Sequence, residues 1–332
     1  MTPTHAKASA SGVLKIVVGL LVLQALLVAA FVLPGHKPEP HDVPIGVVGS
    51  SAPVDAATAA HPGAFEVERF ASSADAREAI EERDVYGALV TLPGEQQRLL
   101  IASAASAPIA QALQGAFAGA RDVAVEDLAP LAEEDPRGAT LNLMFLPLMV
   151  VCFPAVILLG SLGLRPSRLI GGLVTFAALG GLAVVALVAG LLDALPGDYL
   201  KLSAVAALVI LAIALFTAGL VRLLGHAGIG LAALLFIFVG NPASGNGTAP
   251  ELLPDAWRAI SQLLPPGAGG TSLRNVAYFD GNAVLQPLLV LTAYALVGAL
   301  LVLAADPIRM RFSRRRAERI DGPRATDDPI LT

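Results

Sequence analysis

From Leu141 to Val221 the chain carries five charged residues, Arg165, Arg168, Asp193, Asp198 and Lys201, spread over three long apolar runs. A helix that crosses the hydrocarbon core, about 30 Å thick, needs about twenty predominantly apolar residues. The runs Leu141 to Gly163, Leu169 to Leu192 and Leu200 to Val221 each supply that length. The chain is therefore read as an α-helical integral membrane protein. Its composition agrees, with 55% hydrophobic residues, 15% charged and a mean hydropathy of +0.70 over 332 residues.

Three further apolar runs bring the expected number of transmembrane helices to six. Val13 to Leu33 comes first, behind a short polar start with His5 and Lys7, and ends at Pro34-Gly35. A cleaved signal peptide shares that outline, but the long apolar core and a poor small-x-small site favour a retained helix. Leu285 to Ala304 comes last. Gly228 to Gly240 is the weak member, with barely thirteen residues, and crosses only by tilting, by borrowing residues before it or by ending in a break at Asn241-Pro242.

Between the first and second runs the chain changes character. Residues 35–138 are rich in charge and alternate short apolar strands with helical patterns, as a small α/β domain does. Five strands are expected: Val43 to Ser50, Phe65 to Ser72, Val85 to Pro93, Arg98 to Ala104 and, weakly, Val123 to Leu128. A helix capped by Ser73 and another beginning with Pro108 near its first turn lie between them. About a hundred residues suffice to bury a core.

Charge placement tests the six-helix reading. With a cytoplasmic N-terminus, the inner segments hold twelve of the 22 basic residues, including Arg165, Arg168, Arg222 and the Arg314 to Arg316 cluster, against five acidic ones. The outer segments hold ten basic against 22 acidic. The loop LRPSR and the tail IRMRFSRRRAER lie closest to helix ends and both fall inside, as the positive-inside rule requires. Both termini are then cytoplasmic and residues 35–138 external, in the cytoplasmic membrane. Omitting Gly228 to Gly240 would place the basic tail outside. The arginine cluster needs no role beyond anchoring topology, although anionic headgroups or a cytoplasmic partner would also suit it.

No constellation for chemistry stands out, and the chain is not expected to be an enzyme. It has no G-x-x-x-x-G-K-[ST] loop, no H-E-x-x-H and no G-x-S-x-G elbow. His36 and His41 beside Asp42 lie in a proline-rich linker without metal-ligand spacing, and read as solvated residues. GSSAP, at Gly49 to Pro53, reads as a strand-to-helix turn. The single cysteine, Cys152, lies in an apolar run and cannot form an internal disulfide. Lys15, Asp193, Lys201, His226 and Asp306 all fall near span ends, which argues against a proton relay. Gly171-Gly172, Gly180-Gly181 and the pair Ala186 and Gly190 offer small surfaces for close helix approach, and general glycine and alanine richness explains any one pair equally well.

The segment between the last two runs is too long for a turn. GNPASGNGTAP, at Gly240 to Pro250, opens it, and its NGT sequon at Asn246 reads as incidental. Leu252, Leu253, Trp257, Ile260, Leu263 and Leu264 then recur at helical spacing, which predicts an amphipathic helix of about three turns with Trp257 at the lipid–water interface. PPGAGGTSLRNVAYFDGN follows and is expected to break helix geometry. Residues 241–284 therefore read as an interfacial or partly re-entrant hairpin.

This order of parts resembles the ABC-2 type permease superfamily, in its branch similar to the phage infection protein (YhgE/Pip-like membrane proteins). The likeness runs through IGVVGSSAP, SADAREAIEERDVYGALVTLP, LLIASAASAPIAQALQGAFAG and LPPGAGGTSLRN, and spans nearly the whole chain. It implies a homodimeric exporter permease for a lipid-linked, polymeric or drug-like substrate, with ATP entering only through a separate ATPase subunit. The chain itself would hold no cofactor or metal, and its partners would be membrane lipids and that ATPase, not nucleic acid. The apolar runs and charges divide the chain into 1–34 for the start and first helix, 35–138 for the external domain, 139–305 for the membrane block and 306–332 for a basic tail. Candidate substrate-path or interface residues are Pro147, Pro154, Asn241, Pro242, Trp257, Pro265, Pro266 and Arg274, and candidate cytoplasmic contacts are Arg165 and Arg168. The short GLRPSR loop departs from relatives whose longer loop meets the ATPase. A non-transporting envelope scaffold or receptor is the rival expectation.

Overall fold

The computed structural model describes residues 10–36, 39–92, 96–117 and 123–320. The protein is mostly helical, at 67%, with a small sheet and, among the described residues, five helices long and apolar enough to cross a membrane. The first is α1 (Ala10–His36), which continues through Pro34-Gly35 instead of ending there. Then come α5 (Thr140–Ser161), α6 (Pro166–Val185, extended by a π-helical turn over Ala186–Leu191), α7 (Tyr199–Leu224) and the first part of α11 (Leu285–Ile320), whose apolar stretch is Leu285–Ala305. The weak run becomes a shorter apolar helix, His226–Gly240, made of α8 (His226–Ala233) and a π-helical turn, Leu234–Gly240.

The helix α7 is the centre of this bundle. Two thirds of its apolar window is buried, against none for α1. Its neighbours approach to backbone distance where they carry glycine. A Cβ on Gly181 of α6 would stand 2.5 Å from the Ser203 carbonyl oxygen, and one on Gly298 of α11 would overlap the Leu215–Phe216 peptide. Lipid gives helices no hydrophobic reason to associate, so close van der Waals contact between small residues has to supply the attraction. Among the other sequence pairs, Gly171 and Gly190 face open space. Phe216, Phe236 and Tyr294 close one side, with ring centroids 5.0 to 5.9 Å apart, joining α7 to the π-helical turn and α11.

Between α1 and α5 lies a five-stranded mixed sheet of order β2-β1-β3-β4-β5. Its strands are β1 (Val43–Val48), β2 (Phe65–Phe70), β3 (Gly87–Thr91), β4 (Gln97–Ile101) and β5 (Val123–Asp127). β3 and β4 pair antiparallel, and the pairs β1–β2, β1–β3 and β4–β5 are parallel. The parallel pairs are bridged by helices: α2 (Ala52–Ala60) after the GSSAP turn, α3 (Ser73–Glu81) and α4 (Ala107–Phe117). The N-cap of α3 is Ser72, one residue earlier than the pattern suggested. Its hydroxyl accepts from the Asp75 amide while the Asp75 carboxylate accepts from the Ser72 amide, a closed capping box.

The segment between the last two apolar helices departs most from expectation. No single amphipathic helix of three turns forms over residues 252–264. Pro250–Leu252 makes one 3-10 turn, Leu253 is extended, and α9 (Asp255–Ser261) starts only after Pro254. Pro254 lacks an amide proton and restricts the residue before it, so helix cannot run through. PPGAGGTSLRNVAY, expected to break helix geometry, instead forms α10 (Pro265–Tyr278). Pro265 and Pro266 occupy its first turn, where amide protons have no partner in any helix. Its glycines cost helix propensity, yet they admit neighbours: a Cβ on Gly270 would overlap the Asn246 side chain, and one on Gly269 would meet Val209 of α7 at 2.7 Å. Tertiary packing outweighs propensity here.

Candidate functional site at the junction

Eleven residues of α10 are buried, from Pro265 through Ala277, among α5, α7, α11 and the turn Pro242–Ser244. The α/β unit rests on this segment. Ala249, Leu252 and Phe279 belong to the hydrophobic core of the sheet, beside Val43, Tyr86 and Leu89. Leu252, which the helical pattern aimed at lipid, is thus spent inside the α/β unit, 5% exposed.

Polar contacts ring that shared core. Tyr86 donates to a Glu251 carboxylate oxygen at 2.6 Å, and the His41 amide donates to the Glu251 carbonyl at 2.9 Å. Burial, reinforced by the Glu251 charge, pushes the Tyr86 hydroxyl well above the ordinary phenol range, so it stays a donor. Arg258 of α9 donates to the His41 carbonyl at 3.1 Å and pairs with Asp42 at 3.3 Å. Asn282 donates to the Glu81 carbonyl at 3.0 Å. Arg83 lies over two rings, 4.8 Å from the Phe279 centroid and 5.5 Å from that of Tyr86.

Beneath this ring sits Arg274, 7% exposed, which donates to the Asn246 carbonyl at 2.7 Å. As a guanidinium it is a cation at neutral pH. The Asn246 side chain donates to the Pro266 carbonyl at 3.1 Å and is 2% exposed, so the sequon is closed to modifying enzymes in this fold. Asp135 caps α5 by accepting from the Ala139 and Thr140 amides at 2.9 and 2.8 Å. Arg274, Asn246, Asp135, Ser106 and Tyr278 line a cavity of about 20 Å³, room for one water-sized guest.

The structure brings together some of the sequence candidates and separates others. Arg274, Pro265 and Pro266 meet at the seat, and Asn241 and Pro242 lead into it, half-buried. Trp257 is half-buried on α9. Pro147 and Pro154 lie inside α5 on its outward face, away from Arg274. Arg165 and Arg168 are exposed at the opposite end of the bundle. Tyr86, Glu251 and Asp135 carried no recognisable motif, since Tyr86 and Glu251 are 165 positions apart, and Asn246 stood out only as part of a sequon.

No family model matches this chain, and neither a curated protein nor a solved structure matches it.

Proposed function

We propose that the chain is the membrane permease subunit of an ABC-2 type exporter, moving a lipid-linked, polymeric or drug-like substrate with a separate ATPase. The observation that carries this reading is α10. A polar helix with a buried arginine, inserted among apolar helices and flanked by irregular backbone, exceeds what a membrane anchor needs. Such backbone is tolerated at membrane depth only where protein buries it or a path runs beside it. The order of parts that resembles the superfamily adds to this reading.

In the proposed topology the short helix His226–Gly240 is the fifth of six crossings, both termini are cytoplasmic and the α/β unit is external. Basic residues favour it, since Arg165, Arg168 and Arg222 fall at the end away from the sheet. The subunit would act as a homodimer, and Arg165 and Arg168 would meet the ATPase. Flux in proteoliposomes, measured with a candidate ATPase, tests the proposal: ATP-dependent efflux is expected, and its absence with every pairing overturns it.

A second reading is favoured by the closed packing of the seat, whose cavity admits only a water-sized guest. Under it the chain is a non-transporting envelope scaffold or receptor. Partner capture by the full chain in nanodiscs discriminates, because residues 35–138 alone would lack Ala249, Leu252 and Phe279 from their core. Capture that disappears when the sheet surface is altered, with no flux, favours the scaffold.

A further inference from the structure

The cavity of about 20 Å³ at the seat is lined by more hydrogen-bond donors than the protein itself uses. Arg274, more than nine-tenths buried, gives one N–H to the Asn246 carbonyl. A guanidinium carries five, and among the described residues this one forms no ion pair. The positive end of α4 lies at the same cavity: Ser106, Ala107 and Pro108 line it, and the first turn of this 11-residue helix contains no acidic residue. The Ser106 hydroxyl, on a residue 3% exposed, accepts from the Ile109 amide and keeps its own proton to donate. One carboxylate, Asp135, also lines the cavity, and both of its oxygens are taken by the amides that start α5. Glu251 directs its charge to the Tyr86 hydroxyl. Arg137 adds a second, exposed cation to the lining.

We infer that this cavity binds a single monatomic anion, chloride, between the Arg274 guanidinium and the Ser106 hydroxyl at the start of α4. Size sets the first limit. A water molecule needs about 10–15 Å³ of such space, so a cavity of about 20 Å³ holds one small sphere and excludes phosphate, sulfate or a carboxylate ligand. Charge then separates chloride from water. Water would satisfy a donor and leave the guanidinium without a counter-ion, and an unpaired charge is strongly unfavourable in a buried site. Chloride supplies acceptor and opposite charge together. Because Arg274 belongs to α10 and Ser106 to the α/β unit, the anion fastens the sheet to its seat. This site is independent of whether the chain transports, and goes beyond the export reading.

The test is the thermal midpoint of the full chain in detergent, measured in sodium chloride, sodium bromide and sodium gluconate at equal ionic strength. A saturable rise is expected with chloride and bromide, and none with gluconate, which is too large to enter. At about ten times Kd the folded state gains about tenfold, a rise of about 2–4 °C. The chloride NMR line should broaden in the presence of the unaltered chain and narrow again when bromide competes. Arg274→Gln should remove both effects. Ser106→Ala leaves the guanidinium in place and should weaken chloride about tenfold, the loss of one hydrogen bond to a charged group. Equal midpoints in chloride and gluconate overturn the inference and leave a bound water only. Chloride stabilisation that survives Arg274→Gln in a folded chain also overturns it, by moving the anion elsewhere. If Arg274→Gln fails to fold, Ser106→Ala decides, and an unchanged chloride affinity there overturns the site.

Discussion

The contacts around α7 and the seat of the α/β unit are made of opposite materials. Around α7 the chain brings backbone against backbone through Gly181, Gly219 and Gly298, with hardly a polar side chain involved. At the seat it uses aromatic rings, arginines and a carboxylate, gathered from positions as far apart as Asp42 and Arg258. The difference follows from solvent. Lipid offers no hydrophobic gain for helix association, so only close fit can hold helices together. At the seat, burying Phe279 and Leu252 is worth about 1.5–3 kcal/mol each where water is the alternative, and charged groups reach partners.

Gly298→Leu is the strongest way to break the first kind of contact. The added atoms would overlap the Leu215–Phe216 backbone of α7, which cannot rotate aside as a side chain can. The cost should exceed the ~1–3 kcal/mol of tolerable overpacking. Size-exclusion profiles in detergent should show loss of the folded, monodisperse species.

Phe279→Ala aims at the seat instead. The ring is 5% exposed in the core of the sheet and stacks under Arg83, so its removal should cost about 3–5 kcal/mol. The loss should be local. Hydrogen exchange is expected to rise across β1, β3 and residues 249–258, while α7 and α11 keep their protection. Loss of protection in both places would show that the two regions fold as one and would erase the contrast.

How much of this was legible before folding depended on which solvent each element answers to. The apolar runs and the short strands between helical patterns announced themselves, because lipid demands about twenty apolar residues and a largely parallel sheet demands short apolar strands, as the burial of β1 and β3 shows. Helix α10 did not. Its two prolines and three early glycines read as breakers by local propensity, whereas prolines suit a first turn and the glycines seat it against Asn246 and Val209. The leucines before it were legible as apolar but not as to destination, since Leu252 enters the sheet core and Leu263 stays 58% exposed. Arg274 stood out as a residue in an unusual segment, while Tyr86 and Glu251 pair across 165 positions and leave no local trace.

Tyr86→Phe sharpens the comparison with a smaller change. It removes one hydroxyl and leaves Glu251 without its 2.6 Å donor. The expected cost is about 1.5–3 kcal/mol, the range for a hydrogen bond to a charged group. Glu251→Gln in the same background should recover part of that loss, because a neutral amide is cheaper to leave buried than a carboxylate. Thermal melts of the single and double variants form the measurement, and additive losses would mean that the pair contributes nothing as a pair.

The smallest effect is expected in α1, which uses neither material. Its apolar stretch has a mean hydropathy of 2.9, against 2.7 for α7, yet none of its window is buried. If hydropathy alone governed packing, a bulky residue would disturb both helices alike. Gly19 has nothing within 4 Å of a built Cβ, whereas Gly298 overlaps backbone. Gly19→Leu therefore adds a side chain that meets only lipid and replaces a poor helix former with a good one, so stability should change by less than about 1 kcal/mol, upward if at all. A melt in the same detergent as Gly298→Leu makes the two directly comparable. A large loss at Gly19 would mean that α1 packs against something besides lipid, with a second copy of the chain the first partner to look for by mass.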